Sequence, residues 1–168
     1  YLAGNWRHKL QTAQEAAQSH PEVASNVKAL QQVQPKDVSA AEIDVRIGAS
    51  WIAPEYYRQF LFELLKTPYY VQNESVDVLY SPVSGEWNVK GKGQDSKNNV
   101  LAYNRYGTKR RSAYAIFEDS LNQRDIRIFD TVTYADGKEK RCLNAKETAL
   151  AQQKQEALGE AFREWIFK

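Results

Sequence analysis

The chain has 168 residues, 42% hydrophobic and 26% charged, a length and balance that fit one domain with a real core rather than two. A formal charge of +2 is too small to mark a nucleic-acid binder by bulk charge, so any basic signal has to be local. One cysteine, Cys142, cannot form an internal disulfide and favours a reducing, cytoplasmic setting; with only His8 and His20 besides, no Cys/His metal site and no cofactor are expected, and no apolar run approaches the roughly 20 residues of a membrane span.

The start, Tyr1 to Trp6, lacks the basic head and apolar middle of a signal peptide. There is no Met, and both ends lie inside helical patterns, so the chain reads as a piece of a longer polypeptide. From Asn5 to about Gln18, Leu2, Trp6, Leu10, Ala13 and Ala17 fall on one helical face. His20-Pro21 breaks that pattern, and a second helix from Glu22 to about Gln32 buries Val23, Val27 and Leu30. The two predict a helical hairpin arm over 1–34, and Ser39 to Glu42 offers a capping box for one short turn.

The stretch EIDVRIGASWIAPEYYRQFLFELL, Glu42 to Leu65, is the one around which the remaining chain is organised. A polar-alternating segment meets a bend at Gly48-Ala49-Ser50, and Trp51 and Ile52 pack the entrance to an amphipathic helix. Pro54 suits its first turn, while Tyr56, Tyr57, Phe60, Leu61, Leu64 and Leu65 recur at helical spacing until Pro68 stops it.

Val76, Val78 and Tyr80 alternate with polar residues, Ser81 to Gly85 is turn chemistry, and Trp87 and Val89 resume the alternation, which predicts a strand pair. Gly91 to Asn99 reads as an exposed loop, and Val100 to Tyr106 as strand or short helix. Thr108 is placed as the N-cap of a helix to about Asn122, with Ala113, Ile116, Phe117, Ser120 and Leu121 inward. Ile126, Ile128 and Val132 mark a further strand, and Asp136-Gly137 turns it back into Lys138 to Leu143. Asn144, with Glu147 three residues on, caps a C-terminal helix over 144–168 whose apolar face is Ala151, Leu158, Ala161, Phe162, Trp165 and Ile166. The expected fold is α+β: a small, mainly antiparallel sheet packed by helices, with helical arms at both termini.

One stretch concentrates cations. Lys90, Lys92, Lys97, Arg105, Lys109, Arg110 and Arg111 stand against the single acid Asp95, with Trp87, Tyr103 and Tyr106 among them. Nucleic acids ask for cations to meet phosphates and flat rings to meet unstacked bases, and this stretch has both. The same residues also fit a solvated loop and an ordinary charged helix face, with the rings in the core. A metal-dependent nuclease site is a weaker candidate: Asp77 and Glu86 lie on neighbouring predicted strands, but Asn88 occupies the place of the lysine two after the acid, and Lys90 comes two later still. No phosphate-binding loop, nucleophile elbow or HExxH motif is present.

The segments YLAGNWRHKL, EIDVRIGASWI, SPVSGEWNVKGKG, NNVLAYNRYGTKRRSAYAIFEDSLN and LAQQKQEALGEAFREWI resemble, in this order, a stretch of very large proteins of phages and conjugative elements. Those proteins combine an adenine-specific DNA methylase-like part with a Snf-type superfamily-two helicase part, and the resembling stretch lies between the two. The resemblance implies a non-catalytic accessory domain, DNA-facing, with DNA and the flanking methylase-like and helicase parts as partners. It transfers no catalytic residue, since neither an ATP-binding loop nor the methylase Asn/Asp-Pro-Pro-Tyr motif is in this chain. The alternative is a structural docking module without nucleic-acid affinity.

Overall fold

The computed structural model describes residues 5–36, 39, 43–95 and 98–168, which fall into two units divided between Asp44 and Val45. The first is the expected helical hairpin. Asn5 caps α1 (Trp6–Ser19) by accepting from the His8 N–H at 3.2 Å, as short polar side chains do where the first amides have no helical partner. Pro21 opens a single 3₁₀ turn, Pro21–Val23, so α2 begins only at Ala24 and runs to Gln32. Ala13 and Leu30 are buried, whereas Val23 and Val27 are only half-buried. The Gln34 amide donates to the carbonyls of Trp6 (3.2 Å) and Leu30 (2.9 Å), tying the end of the hairpin to its start. The capping box expected at 39–42 rests on residues outside the described ones.

The second unit begins with the bend. Gly48 has φ +95, and a Cβ there would lie 2.4 Å from the Leu121 carbonyl oxygen, so glycine alone lets the bend come this close. The Tyr57 hydroxyl accepts from the Gly48 N–H (3.1 Å) and donates to the Ala49 carbonyl (3.0 Å), fastening the bend to α3 (Pro54–Leu65). Tyr57, Phe60, Leu61 and Leu65 form the buried stripe. Tyr56 and Trp51, expected inward, are instead 56% and 64% exposed. Tyr56 sits about 100° round the helix from Tyr57, and Trp51 lies in the turn before the helix. Lys66 ends α3 in the left-handed conformation (φ 49), so Pro68 does not stop that helix; it precedes a short unexpected one, α4 (Tyr69–Glu74).

β1 (Asp77–Ser81) and β2 (Glu86–Lys90) pair as expected, with Tyr80 opposite Trp87. Two more helices lie beyond them, the one-turn α5 (Lys92–Asp95) and α6 (Ala113–Leu121). The other edge of β2 is covered by side chains of α6 and its C-cap. The Asn122 amide accepts from the Trp87 N–H (2.8 Å) and donates to its carbonyl (2.9 Å), while Glu118 accepts from the Val89 N–H (2.8 Å). Two polar side chains thus stand in for a third strand. The cap of α6 is Ser112 and not Thr108, which instead closes a turn by accepting from the Arg111 N–H at 3.0 Å. α5 forms where the sequence predicts an exposed loop, and Leu101–Arg105 is a π-helical turn.

A second hairpin, β3 (Phe129–Thr133) and β4 (Glu139–Leu143), forms its own two-stranded sheet. Ile126 and Ile128 are buried but precede the strand, while Val132, on the strand, is 42% exposed. The backbone before β3 is engaged by the last helix, α7 (Ala145–Ile166): Thr148 accepts from the Ile128 N–H (2.9 Å), and Gln152 and Gln155 donate to the carbonyls of Ile126 and Arg124 (3.2 Å each). Asn144 caps α7 by accepting from the Glu147 N–H (3.0 Å), but its own N–H goes to the Ile128 carbonyl (2.8 Å). α7 thus packs on its own unit. Its Ala151, Leu158 and Phe162 are buried in the core of the second unit.

That core is aromatic. The Tyr57 ring meets Trp87 edge-on at 5.1 Å, stacks on Phe162 at 5.3 Å and lies 6.0 Å from Phe117, joining α3, β2, α7 and α6. The fold is α+β, and among the described residues no helix is long and apolar enough to cross a membrane.

These contacts predict two stability effects. Burial pushes the Tyr57 hydroxyl up to about 12, against the backbone bonds from Gly48 and Ala49 that lower it. The unfolded chain ionises near pH 10, so this stability is intact below pH 10 and is lost as pH rises through about 12. Tyr57→Phe is expected to cost about 1–3 kcal/mol at neutral pH, by leaving the Gly48 N–H without its partner, and to flatten the loss of stability between pH 10 and 12. Urea denaturation across that range checks both. Asn122→Ala strips the Trp87 N–H and carbonyl of their partners together; a cost of about 2–4 kcal/mol is expected in the same assay, against less than about 0.5 kcal/mol for the exposed Gln153→Ala.

Candidate nucleic-acid interface

The basic stretch folds back on itself because Gly107 permits it. A Cβ at Gly107 would sit 2.1 Å from the Ala102 carbonyl oxygen and 2.5 Å from the Ala113 nitrogen, so the backbone passes where no side chain fits. The turn from Thr108 to Arg111 then lies at the start of α6, opposite α5. Between them is a cleft of about 570 Å³ lined by Lys92, Gly93, Tyr103, residues 108–112 and Ala115.

Asp95, the one acid of the basic run, is 4% exposed and serves as an anchor. Its carboxylate accepts from the Tyr114 hydroxyl (2.9 Å) and from the Asn99 amide (2.6 Å), which also donates to the Leu65 carbonyl (2.7 Å). The Tyr114 oxygen is shared with the Thr67 hydroxyl at 2.6 Å. Burial drives the Tyr114 phenol well above its ordinary value, the Thr67 bond opposing and Asp95 adding to the shift. This buried network pins the segment carrying Lys92 and Tyr103 to α3 and α6.

Three of the cleft's four cations have carboxylate partners. Lys92 donates to Glu118 at 2.6 Å, the Arg111 Nε donates to Asp119 at 2.6 Å, and Arg110 reaches both Asp130 and the Phe129 carbonyl (2.9 Å). Glu118 and Asp119 are 15% and 8% exposed, against 35% and 37% for Lys92 and Arg111, so these acids lie beneath their cations. The Arg110 guanidinium, and after it the Asn144 amide, holds the Asp130 carboxyl below the usual carboxylate range. Lys109 is exposed and makes no ion pair with a described residue; the same is true of Lys90 and Arg105, whose guanidinium lies 5.6 Å from the Tyr106 ring centre.

The expected site therefore comes together only in part. Lys92, Lys109, Arg110, Arg111 and Tyr103 share the cleft. Lys90, at the end of β2, and Arg105 stand outside its lining, and Lys97 lies outside the described residues. Trp87 is a correction to the expected site: at 5% exposed it belongs to the aromatic core and presents no face to a base. Tyr106 is likewise half-buried against the core. Glu118 and Asp119 are absent from the expected site although they follow Arg111 at helical spacing.

A second cleft of about 450 Å³ is also lined by Tyr103. It shares Thr108, Lys109 and Arg110 with the first and adds Glu147, Leu150 and Lys154 of α7. Nothing in local sequence could have placed these last three beside the basic run.

The nuclease arrangement does not assemble. Asp77 is opposite Lys90 at one end of the hairpin and Glu86 is opposite Ser81 at the other, about 13 Å away along the strands. Asp77 pairs with Arg58 (3.5 Å) and Glu86 with Arg124 (3.3 Å). Among the described residues no group of three or more His, Cys, Asp or Glu could hold a metal ion.

No curated protein and no solved structure matches the chain. The model of a family described as "Domain of unknown function (DUF8437)" matches residues 46–168, all of the second unit but its first residue, and the chain belongs to that family.

Proposed function

We propose that this chain is a non-catalytic accessory module that faces DNA and holds the sugar–phosphate backbone in the cleft of Lys92, Lys109, Arg110 and Arg111. The observation that carries the reading is the convergence of four cations from two separate segments, with the ring of Tyr103, on one concavity. Contacts of this kind position a protein on a polyanion without reading sequence. The acids beneath Lys92 and Arg111 restrain where those cations point, and Lys109 supplies charge that no described neighbour offsets by an ion pair. In this reading the module works inside a larger DNA-acting protein of a mobile element, beside methylase-like and helicase parts, as the sequence resemblance implies.

The small net charge of the cleft keeps the affinity modest. Four cleft cations less the paired Glu118, Asp119 and Asp130 leave a formal +1, to which the flanking Lys90 and Arg105 add two. A docking module without nucleic-acid affinity is the second reading, and a different observation favours it: Tyr69 and Tyr70 are 76% and 73% exposed, as if awaiting cover by another protein part.

Fluorescence anisotropy of labelled DNA over a salt series tests the first reading. Binding at low salt is expected to weaken with a log–log slope of about 2 to 3, and Lys109→Glu to flatten that slope by about 1. An absence of binding to both duplex and single strand at low salt would sink the DNA-facing reading and leave docking.

A further inference from the structure

We infer that the two clefts that share Tyr103 are one trough that takes a single DNA strand, with an unstacked base seated against the Tyr103 ring. This rests on the DNA-facing reading and adds which form of DNA is held and which further residues hold it.

The clefts, of about 570 and 450 Å³, each have the size of a small-molecule site, enough for a nucleotide. They are not independent: Tyr103 and residues 108–110 line both. A strand laid across these shared residues would place its phosphates on Lys109 and Arg110 and bring a base to the Tyr103 ring. In the second cleft, Leu150 is 40% exposed and offers an apolar surface, and Lys154 offers a further cation without an ion pair to any described residue. Among the described residues Glu147 is the only acid lining either cleft, set against Lys92, Lys109, Arg110, Arg111 and Lys154. An intact duplex keeps its bases stacked inside a convex surface, so it can touch the cationic rim but cannot fill the hollows. A flexible strand can do both, and ring-on-base stacking is the interaction that a groove lined with cations and an aromatic side chain provides.

The test uses the whole chain and two labelled probes, a short oligothymidylate and a blunt duplex of equal length, at low and moderate salt. The strand is expected to bind about tenfold more tightly than the duplex; Tyr103→Leu should remove about tenfold of strand affinity and little of duplex affinity. Lys154→Glu, a partly exposed position where folding is not at stake, should weaken strand binding about fivefold or more and lower its salt slope by about 0.7. Lys138→Glu, at the turn of the β3–β4 hairpin and outside the lining of both clefts, should change neither probe. Duplex binding as tight as strand binding, or a strand preference indifferent to both Tyr103→Leu and Lys154→Glu, overturns the trough while leaving a DNA-facing module standing. Failure to bind either probe overturns both.

Discussion

The second unit depends on one residue being held at both ends. Tyr57 packs its ring against Trp87, Phe117 and Phe162, and its hydroxyl grips the bend at Gly48 and Ala49. The ring contributes most of the stability, because aromatic pairs add about 0.5–1.5 kcal/mol each to the gain from burial. The hydroxyl contributes placement. Its two bonds roughly offset the cost of taking it out of water, so their main effect is to dictate where the chain enters α3. The bend is held from the other side as well, since the Gln123 amide, just past the end of α6, donates to the Ile47 carbonyl at 2.9 Å.

α6 converts this packing into a site. Its inner side chains, Tyr114, Phe117 and Leu121, are buried in the core, and it reaches outward with Glu118, Asp119 and its cap Asn122. Glu118 and Asn122, one turn apart, cover the edge of β2, and the same Glu118 oxygen that accepts from Val89 also accepts from Lys92. Asp119 does the corresponding work for Arg111. Ion pairs as sheltered as these come close to breaking even between desolvation and attraction, so they are a poor source of stability. What they provide is direction. The cations over the cleft are aimed by carboxylates that belong to the scaffold.

Much of the fold is legible in the sequence wherever a local rule governs. The stripe of Tyr57, Phe60, Leu61 and Leu65, the turns at Ser81–Gly85 and Asp136-Gly137, and the cap at Asn144 each arise from spacing or turn chemistry within a few residues. Trp87 is legible too: the alternation that places Val89 inward places Trp87 inward with it, and that pattern competes directly with a stacking role. The charges are less legible, because a sequence shows cations without their partners. Asp130 lies 20 residues from Arg110 and Glu118 lies 26 from Lys92, so the basic run looks barer in sequence than it is when folded. Thr108 and Ser112 are both cap residues by type; Thr108 closes the 108–111 turn and Ser112, at the end of that turn, takes the cap.

The last helix shows why a count of apolar residues misjudges what an element does. α7 is 22 residues long, and the sequence shows one apolar face on it. It has three working stripes. Ala151, Leu158 and Phe162 enter the core, while Thr148, Gln152 and Gln155 recur at helical spacing and satisfy the backbone of residues 124–128. Glu147, Leu150 and Lys154 recur in the same way and line the second cleft. The polar middle stripe is the one that matters for the other two. By bonding to the Ile128 N–H and to the carbonyls of Ile126 and Arg124 it ties α7 to the segment ahead of β3, in the rotation at which Leu150 and Lys154 line a cleft with Tyr103. A helix made more apolar along Thr148, Gln152 and Gln155 would still bury its core face, but would leave the Ile128 N–H and the carbonyls of Ile126 and Arg124 without these partners and the rotation of α7 without their restraint.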